Sequence, residues 1–214
     1  MGRLIQWRFS VPGLFKMTAQ PLPPDLDRCL DHILRASPRL MRVLTVARDL
    51  ALPDWRVVSG AIYQTVWNDL TGRDPDFGIK DYDLFYFDGS DISYEAEDLE
   101  IKRAAAAYPP ELSPLVEVRN QARVHLWFEA HFGEPYTPVS CSDESLSRFV
   151  APAFAVGARL EPDGRIDIAA PFGLEDLFAM RLRPNPLRGL ATGWAKVTAG
   201  VRARWPEIVI EGPG

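Results

Sequence analysis

Asp81 and Asp83 flank a single tyrosine where the turn-rich stretch TGRDPDFGIK meets Tyr82-Asp83-Leu84-Phe85-Tyr86-Phe87, the strongest apolar and aromatic run in the chain. On a strand, residues i and i+2 point to one face about 6.5–7 Å apart, so the two carboxylates can converge on a shared ion. Two such charges repel unless a proton or a cation neutralises them. An oxygen-only donor set favours Mg²⁺ or Mn²⁺ over zinc, and Mg²⁺ would bring phosphate oxygens as the rest of its shell. Upstream, Ser59-Gly60 ends one short strand and opens a helix. That arrangement can set free backbone N–H groups and a hydroxyl against a phosphate, and glycine permits close approach of the backbone. Chemistry between two divalent ions normally needs several bridging carboxylates. Glu117, alone among apolar residues in Leu115-Val116-Glu117-Val118, is the third, and Asp167 in Ile166-Asp167-Ile168 is its rival.

A polar cluster follows the Glu117 strand. There Arg123 can contact a triphosphate or an anionic acceptor, and Asn120 or Gln121 can orient a base or sugar. His125, just before Leu-Trp-Phe, reads as a packing residue, and Arg181 and Arg183 read as a solvated face. No GxxxxGK[ST] loop occurs, which argues against an ordinary P-loop ATPase or kinase.

These residues need elements to hold them. Asp25 can cap a helix carrying Leu26, Cys29, Leu30 and Ile33, and Ser37-Pro38 starts a second with Leu40, Val43, Leu44 and Ala47. A strand at 56–58, a helix at 61–70, the strand at 82–87, a helix capped by Ser93 and a strand at 115–119 follow. Residues 143–158 read as helical despite Pro152, 166–168 as a strand, 174–180 as a short helix and about 192–204 as a last helix. The order describes an α+β or α/β unit with a small mixed sheet. Prolines 21, 23 and 24 set off an N-terminal extension, 1–24, from a single domain, 25–214, with a mainly helical part from about residue 140.

Composition narrows the class of protein. The 214 residues include 47% hydrophobic and 25% charged side chains, a globular and not a disordered balance. With 24 Lys+Arg against 29 Asp+Glu the net charge is −5, which argues against a long nucleic acid as partner. The two cysteines, Cys29 and Cys141, form no CxxC motif and suit a reducing compartment such as the cytoplasm. No apolar run is long enough to span a membrane.

Four blocks together carry a resemblance: SGAIYQTVW (59–67); DYDLFYFD (81–88), with Ser93, Glu95 and Glu97 just after it; VRNQARVHLW (118–127); and APFGLEDLF (170–178), followed by Arg183-Pro184-Asn185. Over residues 38–210 the sequence resembles the small bacterial nucleotidyltransferase-like family once catalogued as a domain of unknown function, within the polymerase-beta-type superfamily. The resemblance implies an α+β nucleotidyltransferase-like fold, a small mixed sheet flanked by helices. It also implies Mg²⁺-dependent transfer of a nucleoside monophosphate from a nucleoside triphosphate (NTP) to an unidentified acceptor, taken to be a small molecule. Ser59 and Gly60 would lie at the phosphates, and Asp81, Asp83 and Glu117 would be the metal-holding and catalytic carboxylates. Members often carry an arginine shortly after the glycine turn, where Tyr63 stands here. A catalytically inactive nucleotide-binding or protein-interaction module of the same fold is the competing expectation.

Overall fold

Side-chain caps start the first two helices. Asp25 accepts the Arg28 N–H at 3.0 Å to open α1 (Leu26–Arg35). Ser37 accepts that of Leu40 at 3.3 Å to open α2 (Pro38–Leu50), whose Pro38 occupies a position where no helical N–H bond is lost. This computed structural model describes residues 22, 23 and 25–212, so the expected extension 1–24 falls almost wholly outside the described residues. The chain continues through β1 (Arg56–Val58), α3 (Gly60–Leu70), β2 (Tyr82–Tyr86), α4 (Tyr94–Ala107), β3 (Val116–Asn120) and a 3₁₀ segment, Gln121–Leu126. It then forms α5 (Phe128–Phe132), α6 (Ser142–Leu146), β4 (Gly157–Leu160), β5 (Ile166–Ala169), α7 (Glu175–Phe178), β6 (Arg181–Leu182), α8 (Trp194–Arg204) and β7 (Val209–Ile210).

Five strands pair in the order β3-β2-β1-β4-β5. Only β2 and β3 run parallel, which requires a crossover, supplied by α4; the other neighbours are antiparallel. The fold is therefore α+β with a five-stranded mixed sheet, as the resemblance implies. Alternation along β2 divides the sheet into two faces. Tyr82, Leu84 and Tyr86 are buried in one core with Leu40, Val43, Leu44, Ile62 and Trp67 from α2 and α3. Each such large apolar side chain contributes roughly 1.5–3 kcal/mol on burial. Asp83 and Phe85 turn to the opposite face, where cross-strand register sets Val58 and Glu117 on either side of Asp83.

The expected helix over 143–158 is corrected. After α6 the chain turns, Pro152 opens a 3₁₀ turn at Pro152–Phe154, and Gly157–Leu160 is a strand paired to β1. Its Gly157, Ala158 and Leu160 are all buried, so the segment lacks the alternation that marks a half-exposed strand. With β5 and the short parallel pair of β6 and β7, the part beyond residue 140 is mixed in structure, not mainly helical.

Candidate active site

Parallel pairing sets Asp83 of β2 directly beside Glu117 of β3. Paired residues on adjacent strands share a face about 4.8 Å apart, so the two carboxylates stand side by side near the N-terminal ends of both strands. Burial, then the charges of Asp81 and Glu117, push the Asp83 carboxyl up to about 7, opposed by the Arg119 cation. Asp81 and Asp83 have neither a hydrogen-bond donor nor an ion-pair partner among the described residues, whereas Glu117 makes a long 3.4 Å contact with the half-exposed Arg119. Among the described residues no three His, Cys, Asp or Glu side chains form a ready-made metal cage. The donor set nevertheless suits a hard divalent cation, with oxygen ligands only and, at Asp81 and Asp83, like charges without an ion-pair partner among the described residues.

The turn before α3 faces this group. Ser59 adopts φ 50°, ψ −107°, a left-handed conformation that costs a residue with a side chain on the order of 1–3 kcal/mol. Its N–H donates to the Val156 carbonyl at 2.8 Å, and its carbonyl accepts from the Ile62 and Tyr63 N–H groups at 2.9 Å each. Its hydroxyl makes no cap bond. Among the described residues the N–H groups of Gly60 and Ala61 meet no acceptor. A side chain at Gly60 would lie 3.2 Å from the Gln64 amide nitrogen and 4.0 Å from an Asp81 oxygen. The missing side chain thus lets the Asp81 carboxylate approach the helix start. Ser59, Gly60, Asp81, Asp83 and Glu117 are brought to one region.

The other expected binders lie elsewhere. Asn120 sits at the C-terminal end of β3, where its side chain accepts from the N–H groups of Asp88 (3.0 Å) and Ala122 (3.1 Å) and donates to the Asp88 carbonyl (2.9 Å). Gln121 is buried and donates to the Arg119 carbonyl at 3.4 Å. Arg123 forms a buried ion pair with Glu97 and reaches the Ile92 carbonyl at 3.3 Å. Asn120 ties the chain after β2 to the end of β3, Gln121 bonds back to β3, and Arg123 joins that end to Glu97 of α4, so the structure sets all three at the end of β3 away from Asp83 and Glu117 and not beside them. Asp167 also leaves the comparison with Glu117. It lies on β5, three strands from β2, and pairs with Arg56 at 2.9 Å and Arg159 at 3.2 Å. Arg181 and Arg183 both bind the buried Asp176, at 2.8 and 2.7 Å.

A cleft of about 410 Å³ opens beside Asp81, lined by Gln64, Gly78, Lys80, Gly200 and Arg204. Arg204, the last residue of α8, donates to the Gln64 side-chain oxygen at 3.0 Å and the Gly78 carbonyl at 3.3 Å, and lies over the Trp205 ring at 4.7 Å. Tyr63 packs on Phe154, ring centroids 4.4 Å apart. Burial raises its phenol pKa, Arg204 opposes that rise, and Asp81 and Asp83 add to it, so the hydroxyl lies within electrostatic reach of all three. A guanidinium therefore reaches the region beside Tyr63 from the far end of the chain. Lys80 adjoins the acidic pair and could have been singled out from the sequence. Arg204 could not, because 140 positions separate it from Gln64.

Comparison with known proteins accords with this geometry. A family model described as nucleotidyltransferase matches residues 45–210. A solved structure whose title reads "The NMR structure of the protein reveals a CCA-adding enzyme head domain" is similar at 26% identity and a TM-score of 0.68, over 87% of this chain and 96% of that one. No curated protein matches.

Proposed function

The chain belongs to the nucleotidyltransferase family, and on that premise we propose that it moves a nucleoside monophosphate from an NTP to an acceptor hydroxyl at Asp81, Asp83 and Glu117. The observation that carries the site is the in-register pairing of Asp83 with Glu117, close to an Asp81 that lies against the open helix start at Gly60. The unpaired N–H groups of Gly60 and Ala61 and the positive end of α3 would receive phosphate oxygens. Mg²⁺ or Mn²⁺ held by Asp81, Asp83 and Glu117 would neutralise phosphate charge and act as a Lewis acid. Glu117, the most exposed of the three at 51% of its side chain, accepts the proton of the attacking hydroxyl. The new bond joins the acceptor oxygen to the α-phosphorus. The bond from that phosphorus to the bridging oxygen breaks, its electron pair stays on that oxygen, and pyrophosphate leaves. The acceptor is a small hydroxyl-bearing molecule on this reading, in line with the net charge of −5.

Calorimetry with non-hydrolysable analogues of the four common NTPs, with and without Mg²⁺, tests the site. Wild-type protein binds in a Mg²⁺-dependent manner, and Asp83→Asn weakens that binding about tenfold or more while keeping the circular-dichroism spectrum. Transfer in the variant falls about 10³-fold. Equal, metal-independent binding by both proteins would remove the carboxylates from the site.

A further inference from the structure

We infer that the Lys80–Arg204 cleft is the pocket for the polyphosphate tail of the donor, so that α8 grips the pyrophosphate that departs. The inference rests on the proposed transfer reaction and names a part of its site that neither the motifs nor the family match assigns. Most arginines of the sheet and its flanks are tied to carboxylates, as Arg56, Arg123, Arg159, Arg183 and Arg188 are. Arg204 differs. Its hydrogen bonds go to the neutral oxygens of Gln64, Gly78 and Gly200, and no carboxylate among the described residues pairs with it or with Lys80. Bonds to neutral acceptors hold the guanidinium in place without cancelling its charge, which leaves it available to an anion.

A second observation points to the same ligand. Gln64 is 5% exposed and lines the cleft, yet its amide N–H₂ group donates to nothing among the described residues. That nitrogen lies 3.2 Å from where a side chain would begin at Gly60, so it extends the row of unpaired Gly60 and Ala61 N–H groups toward Arg204. Donors and cations thus run from the helix start into the cleft, with Asp81 on the same wall. A chain of phosphates fits that row, with the α-phosphate near Asp81 and Asp83 and the terminal phosphates against Arg204 and Lys80. When the bond to the α-phosphorus breaks, the negative charge that builds on the departing pyrophosphate lies against these two cations, where fixed positive charge stabilises it most. A nucleoside diphosphate sugar places a neutral ring where the last phosphate would sit, so the cleft selects triphosphate donors.

The test measures binding of inorganic tripolyphosphate, ATP and AMP at one fixed Mg²⁺ concentration to wild type, Arg204→Gln, Arg204→Lys and Lys80→Gln. Lys80 is exposed, so its variant keeps the fold whatever happens at Arg204. Tripolyphosphate and ATP should bind wild type and weaken about tenfold or more in Arg204→Gln and severalfold in Lys80→Gln. Arg204→Lys should recover part of the loss, and AMP affinity should not change. Unchanged tripolyphosphate affinity in both neutral variants, or none in wild type, overturns the cleft assignment. If Asp83→Asn still abolishes Mg²⁺-dependent ATP binding in that case, the transfer site survives without the cleft. Loss of tripolyphosphate binding in the variants, with no NTP transferred to any acceptor by wild type, supports the cleft and defeats the transfer reading.

Discussion

Asp83 holds an unfavourable position in the free protein, and the disadvantage is measurable. Its carboxyl is raised from 3.8 to about 7 by burial and then by Asp81 and Glu117, so between those pH values the folded chain keeps a proton that the unfolded chain has released. Stability therefore falls as pH rises through this window, by up to about 4 kcal/mol, and levels off above it. Asp83→Asn should remove that slope, making the variant more stable than wild type at pH 8 and about equal to it at pH 4. Urea unfolding of both proteins across pH 4–8 checks this, and parallel curves would refute it. Saturating Mg²⁺ at pH 8 should raise the melting temperature of wild type and not of the variant. A site that costs stability when empty and regains it with ligand is the usual trade between function and fold.

At the level of elements, the turn into α3 combines strain with an absent side chain. Gly60→Ala adds a better helix former at a position whose φ is not left-handed, so stability should stay within about 1 kcal/mol of wild type. The new methyl presses on the Gln64 amide, 3.2 Å away, and approaches Asp81. ATP affinity should fall about tenfold while the melting temperature holds, and an unaltered affinity would show that the turn does not touch phosphate. Much of this region was legible from the sequence, because caps, alternation and a Ser-Gly turn are local signals. Ser37, Ser93 and Asp25 cap the expected helices, Asp81 immediately precedes the expected strand, and Asp83 lies on it. What sequence reading missed was non-local. β4 gains its strand character from being enclosed between β1 and β5, and Arg204 joins the cleft because Trp205 is buried against Trp67 with its indole N–H on Asn68 at 3.1 Å. Asn120, Gln121 and Arg123 stand apart from the carboxylates for the converse reason, since a dense run of polar residues looks the same in sequence whether it faces a ligand or bonds to neighbouring backbone and side chains.

Across the whole molecule the two ends of the β2–β3 pair carry different duties. One end gathers three carboxylates with only the half-exposed Arg119 paired to one of them among the described residues, and the other locks α4 in place through the Arg123–Glu97 pair, whose side chains are 13% and 7% exposed. Breaking a buried pair on one side costs about 3–5 kcal/mol. Arg123→Gln should accordingly lower the unfolding free energy by about that amount while leaving ATP affinity unchanged in the fraction that is folded. A matching loss of affinity would return Arg123 to the nucleotide. The ladder between β2 and β3 also separates site geometry from chain length. Asp83 and Glu117 meet through the register of paired strands, whatever path the chain takes between them. Residues added at the exposed Pro110-Glu111 tip between α4 and β3, clear of the buried Tyr108 and Leu112, can thus alter the outline of the molecule while the two carboxylates keep their places, which leaves that tip free to diverge among relatives that share one chemistry.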